Sequence, residues 1–253
     1  MRIAILQSDI AWLNPIENRK RLETMITANT GADIYVLPEM WPTGFATEPK
    51  GAAENADESP SLEWMKLITA QTGAAIAGSV ATEEGGRFFN RFYFVKPNGF
   101  VAYYDKRHLF GYGGEGKHYT AGDRRVVVEW QGVRFLLCVC YDLRFPVWSR
   151  NRGDYDAALY VASWPTPRVE AWSALLRARA IENQCYVAGV NRIGSDPNCI
   201  YPGASCVIDP WGNTIADCGR DKACVAVCDI DMDALTAFRK QFPVLEDADY
   251  FSM

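Results

Sequence analysis

The chain has 253 residues, 26 basic and 31 acidic side chains and a formal charge of −5, with 49% hydrophobic and 13% aromatic residues. That is enough apolar material for a sizeable core in one large domain or two small ones. The mild acidity argues against nucleic acid as a main partner, because phosphate binding needs clustered Lys and Arg. No apolar run approaches the ~18–20 residues that span a bilayer. The apolar start is too short for a signal peptide and meets Asp9 early. A cytoplasmic protein with no membrane partner is therefore expected. Eight cysteines without a Cys-x-x-Cys spacing predict neither a disulfide framework nor a zinc cluster. Two histidines, His108 and His118, are too few for a three-histidine metal centre.

In chain order, Arg2–Gln7 reads as a short strand and residues 15–28 as a helix with Ile16, Leu22, Met25 and Ile26 at helical spacing. Residues 33–37 are strand-like and stop at Pro38. Residues 61–72 form a helix, with Leu62, Met65 and Ile68 apolar, and 74–80 a small-residue buried strand. Two strands, 89–96 and 100–105, flank the turn Pro97-Asn98-Gly99. The second half repeats this order. Val133–Val139 matches the first strand, 156–161 the second, and the helix Val169–Asn183 matches 61–72. Residues 186–190 match 75–79, and 206–212 match 94–99. Buried strands interleaved with helices predict an α/β protein. Two similar half-sheets, each with helices on one face, would stack sheet on sheet as a four-layer α-β-β-α sandwich. With no long Pro/Gly/Ser-rich linker between Lys106 and Arg134, only the short glycine-rich segment 111–116, residues 1–253 read as a single domain.

Ligands of open α/β sheets collect at the carboxyl ends of strands. Just past those ends lie Glu39, Lys106, Cys140 and the run Ser163-Trp164-Pro165. Cys140 ends an apolar strand, and a helix can start near Pro146, so its thiol would face a substrate beside free backbone N–H groups. A thiol with a pKa of about 8.5 needs a base or a nearby cation at neutral pH. Glu39 could supply the base and Lys106 the cation. The residues alone leave each reading open: Cys140 can equally be a packing cysteine, Glu39 a surface carboxylate and Lys106 a solvated strand end. The glycine-rich segment 111–116 lacks phosphate-cradle spacing and reads as a mobile rim loop with Glu115 its only acid. Cys218, Cys224 and Cys228 read as packing residues.

Five segments carry a family resemblance. They are Leu37-Pro38-Glu39-Met40, Tyr104-Asp105-Lys106-Arg107-His108-Leu109-Phe110, Cys140-Tyr141-Asp142-Leu143-Arg144-Phe145-Pro146, Ala178-Arg179-Ala180-Ile181-Glu182-Asn183 and Pro210-Trp211-Gly212. In this order they resemble the nitrilase, or carbon–nitrogen hydrolase, superfamily. Segments 104–110, 140–151 and 154–165 resemble its bacterial omega-amidase branch. The resemblance implies the α-β-β-α sandwich, a homodimer and a Glu39–Lys106–Cys140 triad acting without metal or organic cofactor. It implies a second glutamate at Glu115, ahead of Ala121-Gly122, which would position Glu39 or Lys106. The branch implies hydrolysis of the terminal amide of small α-keto acid amides, 2-oxoglutaramate and 2-oxosuccinamate, through a Cys140 thioester. The Tyr141 N–H would help Lys106 hold the oxyanion. A substrate carboxylate needs an anchor. Arg144 is the candidate, unless it holds an internal ion pair with Asp142, and Phe45, Tyr112 and Trp164 could wall the pocket. Three other readings stay open: an aliphatic amidase, N-carbamoyl amino acid hydrolase or nitrilase of the same superfamily; a Cys-His hydrolase using His108 or His118; and a non-catalytic binding protein.

Overall fold

The structure, a computed structural model, describes residues 1–249. The first half runs β1 (Arg2–Gln7), α1 (Pro15–Thr27), β2 (Ile34–Val36), β3 (Glu54–Asn55), α2 (Pro60–Thr72), β4 (Ala75–Glu84), β5 (Arg87–Val95) and β6 (Val101–Asp105). The second half runs β7 (Val127–Trp130), β8 (Val133–Val139), α3 (Pro146–Ser149), β9 (Ala157–Ala162), α4 (Val169–Asn183) and β10 (Tyr186–Asn191). It continues through β11 (Ile193–Ser195), β12 (Ile200–Pro202), β13 (Cys206–Ile208), β14 (Thr214–Asp217), β15 (Cys224–Asp229) and α5 (Met232–Gln241). Helix starts follow local chemistry. Ser59 caps α2 by accepting from the Leu62 N–H at 3.1 Å, with Pro60 pre-set in the first turn, and Gly73 ends the helix at φ +71°.

The strands form two large sheets, ordered β15-β1-β2-β4-β5-β6 and β14-β13-β10-β9-β8-β7. In the first, β1, β2 and β4 are parallel, while β5, β6 and β15 add antiparallel pairs. In the second, β8, β9 and β10 are parallel, and β13, β14 and β7 add antiparallel pairs. The two orders coincide strand for strand. The internal repeat therefore extends to a pair absent from the sequence expectation, β15 against β1 and β7 against β8.

Side-chain alternation settles the layering. Ile3, Ile5, Val36, Ala77 and Phe94 of the first sheet share one buried cluster with Phe135, Leu137, Leu159, Val161 and Ala188 of the second. Their neighbours Ala4, Leu6, Tyr35 and Ile76 turn the other way and pack on Leu22 and Ile26 of α1 and Met65 and Ile68 of α2. Leu136, Cys138, Ala158, Tyr160 and Val187 likewise pack on Trp172, Leu176 and Ala180 of α4. Successive residues of a strand point to opposite faces, so each sheet presents one face to the other sheet and one to helices. The result is the four-layer α-β-β-α sandwich. Close layering sets side-chain size: a Cβ on Gly189 would lie 2.3 Å from Leu176 Cδ1.

Asp156, almost fully buried, ties β8, β9 and α5 together. It accepts from the Arg134 Nε at 2.9 Å and Nη2 at 2.8 Å, and from the Arg239 Nη1 at 2.8 Å. Burial alone would raise its pKa, but hydrogen bonds from Arg134 and Arg239 outweigh that and leave it below the usual carboxylate range. Because folding lowers this pKa, the stability it contributes is complete above the unfolded value of about 3.9 and fades as pH falls through the lower folded value. Asp156→Asn should therefore cost about 2–3 kcal/mol in urea unfolding at neutral pH. The gap to wild type should narrow once the pH drops below about 4.

Candidate active site

The site lies where the carboxyl ends of both sheets meet. Glu39 follows β2, Lys106 follows β6, Cys140 follows β8 and Ser163 follows β9. Lys106 is held down from both sides: its N–H donates to the Asn90 carbonyl at 3.0 Å, and its carbonyl accepts from the Gly122 N–H at 3.0 Å. That closure requires glycine, since a Cβ on Gly122 would sit 2.1 Å from the Asp105 carbonyl oxygen. The Cys140 backbone adopts φ +46°. A left-handed non-glycine residue costs on the order of 1–3 kcal/mol and persists only where its surroundings over-determine it.

Glu39, Lys106 and Glu115 are all 0% exposed. Lys106 Nζ donates to Glu39 Oε1 at 2.9 Å and to Glu115 Oε2 and Oε1 at 2.9 and 3.1 Å. Asn90 Nδ2 bridges the two acids, at 2.8 Å from Glu39 Oε1 and 3.1 Å from Glu115 Oε1. The second Glu39 oxygen accepts from the Ser163 N–H at 2.8 Å, and Glu115 Oε2 accepts from the Phe110 N–H at 2.6 Å. Burial works against the Lys106 charge, yet Glu115 and Glu39 together hold the ammonium well above its ordinary pKa. Burial pushes the Glu115 carboxyl above its usual range, with Lys106 acting in the opposite direction. The Cys140 thiol is also pushed well up, first by burial and then by the Glu39 carboxylate; Lys106 only partly offsets this.

Above the cluster opens a cavity of about 560 Å³ lined by Cys140, Tyr141, Phe45, Tyr112, Arg144 and Trp164 among others. The structure thus brings together Glu39, Lys106, Glu115 and Cys140, and puts Phe45, Tyr112, Tyr141, Arg144 and Trp164 around one cavity. Arg144 does not take the alternative of an ion pair with Asp142. It lies over the Trp164 ring at 5.0 Å, and Asp142 is instead occupied by Tyr104, His108 and the Val139 N–H. The segment 111–116 lies at the cavity rim, with Tyr112 and Gly113 in its lining. It forms two 3₁₀ turns, because Glu115 points inward to Lys106 and Phe110 rather than out to solvent. His108 and His118 are not among the cavity-lining residues; His118 lies 3.6 Å from Glu48 on the surface.

Several site residues escaped sequence reasoning. Asn90 left one signal, as the lone buried amide in the aromatic strand Arg87–Val95. Arg168, also on the cavity wall, stacks over Phe110 at 5.3 Å and left none. Asp196 and Tyr201 come from the small β11–β12 hairpin region and are bonded to each other at 2.6 Å. Among the described residues no group of three or more His, Cys, Asp or Glu is placed to hold a metal, and no helix is long and apolar enough to cross a membrane.

A sandwich of two stacked sheets with a buried Glu–Lys–Glu cluster beside a thiol is the frame of an amide-cleaving hydrolase. The family model for carbon-nitrogen hydrolases matches residues 2–240, and the chain belongs to that family. It is 48% identical to Omega-amidase YafV of Escherichia coli K12, covering 100% of this chain and 98% of that protein. To the 2-oxoglutaramate amidase of Bacillus subtilis it is 37% identical, over 97% of this chain and 96% of that one. The crystal structure of XC1258 from Xanthomonas campestris, a CN-hydrolase superfamily protein with an arsenic adduct in its active site, superposes with a TM-score of 0.96. It is 42% identical and covers 100% of this chain and 98% of that one.

The electrostatics of the thiol give a direct check. Burial and the Glu39 charge keep Cys140 protonated, so iodoacetamide should label it slowly near neutral pH. Glu39→Gln removes the negative neighbour and leaves Lys106 in place. That variant should label faster than wild type, read by intact mass, while losing amide turnover.

Proposed function

We propose that this chain is an omega-amidase that hydrolyses the terminal amide of 2-oxoglutaramate and 2-oxosuccinamate to the dicarboxylate and ammonia. The observation that carries the reading is that the Cys140 thiol lines a cavity walled by Arg144 and Arg168 and is backed by the buried Glu39–Lys106–Glu115 cluster. Among the described residues no carboxylate pairs with either arginine, so both guanidiniums are available to a substrate carboxylate. The names of the Escherichia coli and Bacillus subtilis relatives support the same substrate class. Arsenic binds thiols readily, so the adduct in the Xanthomonas structure supports a thiol as the reacting group.

The chemistry follows from the protonation state. Cys140 is neutral at rest, so its proton must leave as the sulfur attacks the amide carbon, and Glu39 is the base in contact. As the S–C bond forms, the carbonyl oxygen gains charge and is met by Lys106 Nζ and the Tyr141 backbone N–H. An ammonium has three N–H bonds, and Lys106 uses two contacts on Glu115. One can pass to the oxyanion while the other still holds Glu115. Glu39 then returns its proton to the amide nitrogen, the C–N bond breaks, and ammonia leaves a thioester on Cys140. Glu39 next takes a proton from water as it attacks the thioester, and gives it back to sulfur as the acid departs. Glu115 and Asn90 position Glu39 and Lys106 throughout. On the same reading the enzyme works in the cytoplasm, and the family resemblance implies a homodimer.

A screen of ammonia release should favour 2-oxoglutaramate over neutral amides of similar length, nitriles and N-carbamoyl amino acids. Cys140→Ala should abolish turnover, and retention of wild-type rates would exclude it as nucleophile. Lys106→Met should lose about 10²–10³-fold in kcat, and a merely fewfold loss would reduce Lys106 to a structural role.

A further inference from the structure

His108 is a motif residue that this chemistry does not use. Its backbone N–H donates to Asp142 Oδ1 at 3.0 Å, and its ring Nδ1 lies 2.7 Å from the same oxygen. The other oxygen, Oδ2, accepts from the Tyr104 hydroxyl at 2.8 Å and from the Val139 N–H at 2.8 Å. Asp142 is 0% exposed, so its charge is answered by these four donors. An ionised carboxylate only accepts, which assigns the proton to His108 Nδ1. The carboxylate and its donors fall into two groups. Tyr104 and His108 bracket Lys106, whereas Val139 and Asp142 itself bracket Cys140. Tyr104 is fixed further, its hydroxyl accepting from the Arg107 N–H at 3.0 Å and from Trp148 Nε1 at 3.1 Å. The imidazole stacks on Phe145 with centroids 3.8 Å apart and planes within 5°.

We propose that Asp142 and His108 are positioning residues that set the distance between the Cys140 sulfur and the Lys106 ammonium. One carboxylate staples the end of β6 to the left-handed elbow after β8. Without it the elbow is free to relax away from φ +46° and the strand end to shift independently. His108 acts through Asp142 and does not touch the reacting atoms. The inference rests on the reading of Cys140 as nucleophile and Lys106 as oxyanion donor.

The test is a pair of variants at the partly exposed His108, read on the full-length protein. Asparagine places its side-chain N–H near the position of imidazole Nδ1 but cannot act as a base; alanine offers no donor. His108→Ala should lower kcat on 2-oxoglutaramate by about 10²-fold with little change in KM. It should also alter the rate at which iodoacetamide labels Cys140. His108→Asn should restore both toward wild type. A role in fold stability alone would lower the melting temperature of His108→Ala and leave kcat and labelling intact, which would overturn the proposal. An asparagine variant as impaired as alanine would overturn it too, and would return His108 to the position of a general base. If wild type turned over no amide, the function reading would fail by itself. The labelling rates would then decide the staple: altered in alanine and restored in asparagine, or unaltered and the staple rejected.

Discussion

The structure is organised around one constraint, the burial of an ammonium between two carboxylates. Lys106, Glu39 and Glu115 have no access to water. Taking any one of them out of solvent alone costs several kcal/mol, so the fold can hold them only as a group whose donors and acceptors are matched. The matching draws on Asn90 from β5, the Ser163 N–H after β9 and the Phe110 N–H before the first 3₁₀ turn. Elements from both sheets must therefore close to hydrogen-bond distance before the cluster is satisfied. Two acids to one base leave surplus negative charge in a dry place. Burial first, and the neighbouring Glu39 charge second, hold protons more tightly on Glu115 and on the Cys140 sulfur. A nucleophile stored in its neutral form beside its own base follows from that burial together with the adjoining charge.

Much of the frame could be read from sequence because the central strands are buried on both faces. Runs such as Arg2–Gln7, Val133–Val139 and Ala157–Ala162 are nearly continuous apolar stretches, and their order in the two halves exposes the repeat. The edges were harder. β15 is half exposed and carries Asp229, and β7 is only four residues long, so neither has a strong pattern. The site divides in the same way. Glu39, Lys106 and Cys140 stood out because each follows a strand end. Asn90 is hidden inside a strand, and Arg168 enters the cavity only through the conformation of the segment before α4. Pairings were the least visible. An Asp142–Arg144 ion pair was an open alternative, but the side-chain partners of Asp142 are Tyr104 and His108, 38 and 34 positions away. Glycine content at 111–116 says nothing of the one inward side chain there, Glu115, which bonds Lys106 and Phe110.

The repeat duplicates the frame and not the chemistry. Lys106 follows β6, but the residue in the same place after β14 is Cys218, which is buried and directs its sulfur toward backbone carbonyls. Glu39 follows β2, but β9, its counterpart, is followed by Ser163, which contributes a backbone N–H. The first sheet supplies the acid and the ammonium, the second the thiol. The reacting set exists only where the two halves abut.

Pairing β15 with β1 also shapes how the polypeptide reaches this state. The Met1 amino group and the Ile230 carbonyl are 3.1 Å apart although 229 positions separate them in sequence. The first sheet cannot complete its edge until that distant segment arrives, so until then β1 presents unpaired N–H and C=O groups. Such long-range closure favours slow assembly. During synthesis the half that is made first must wait, with one margin open, for the last strand to be delivered.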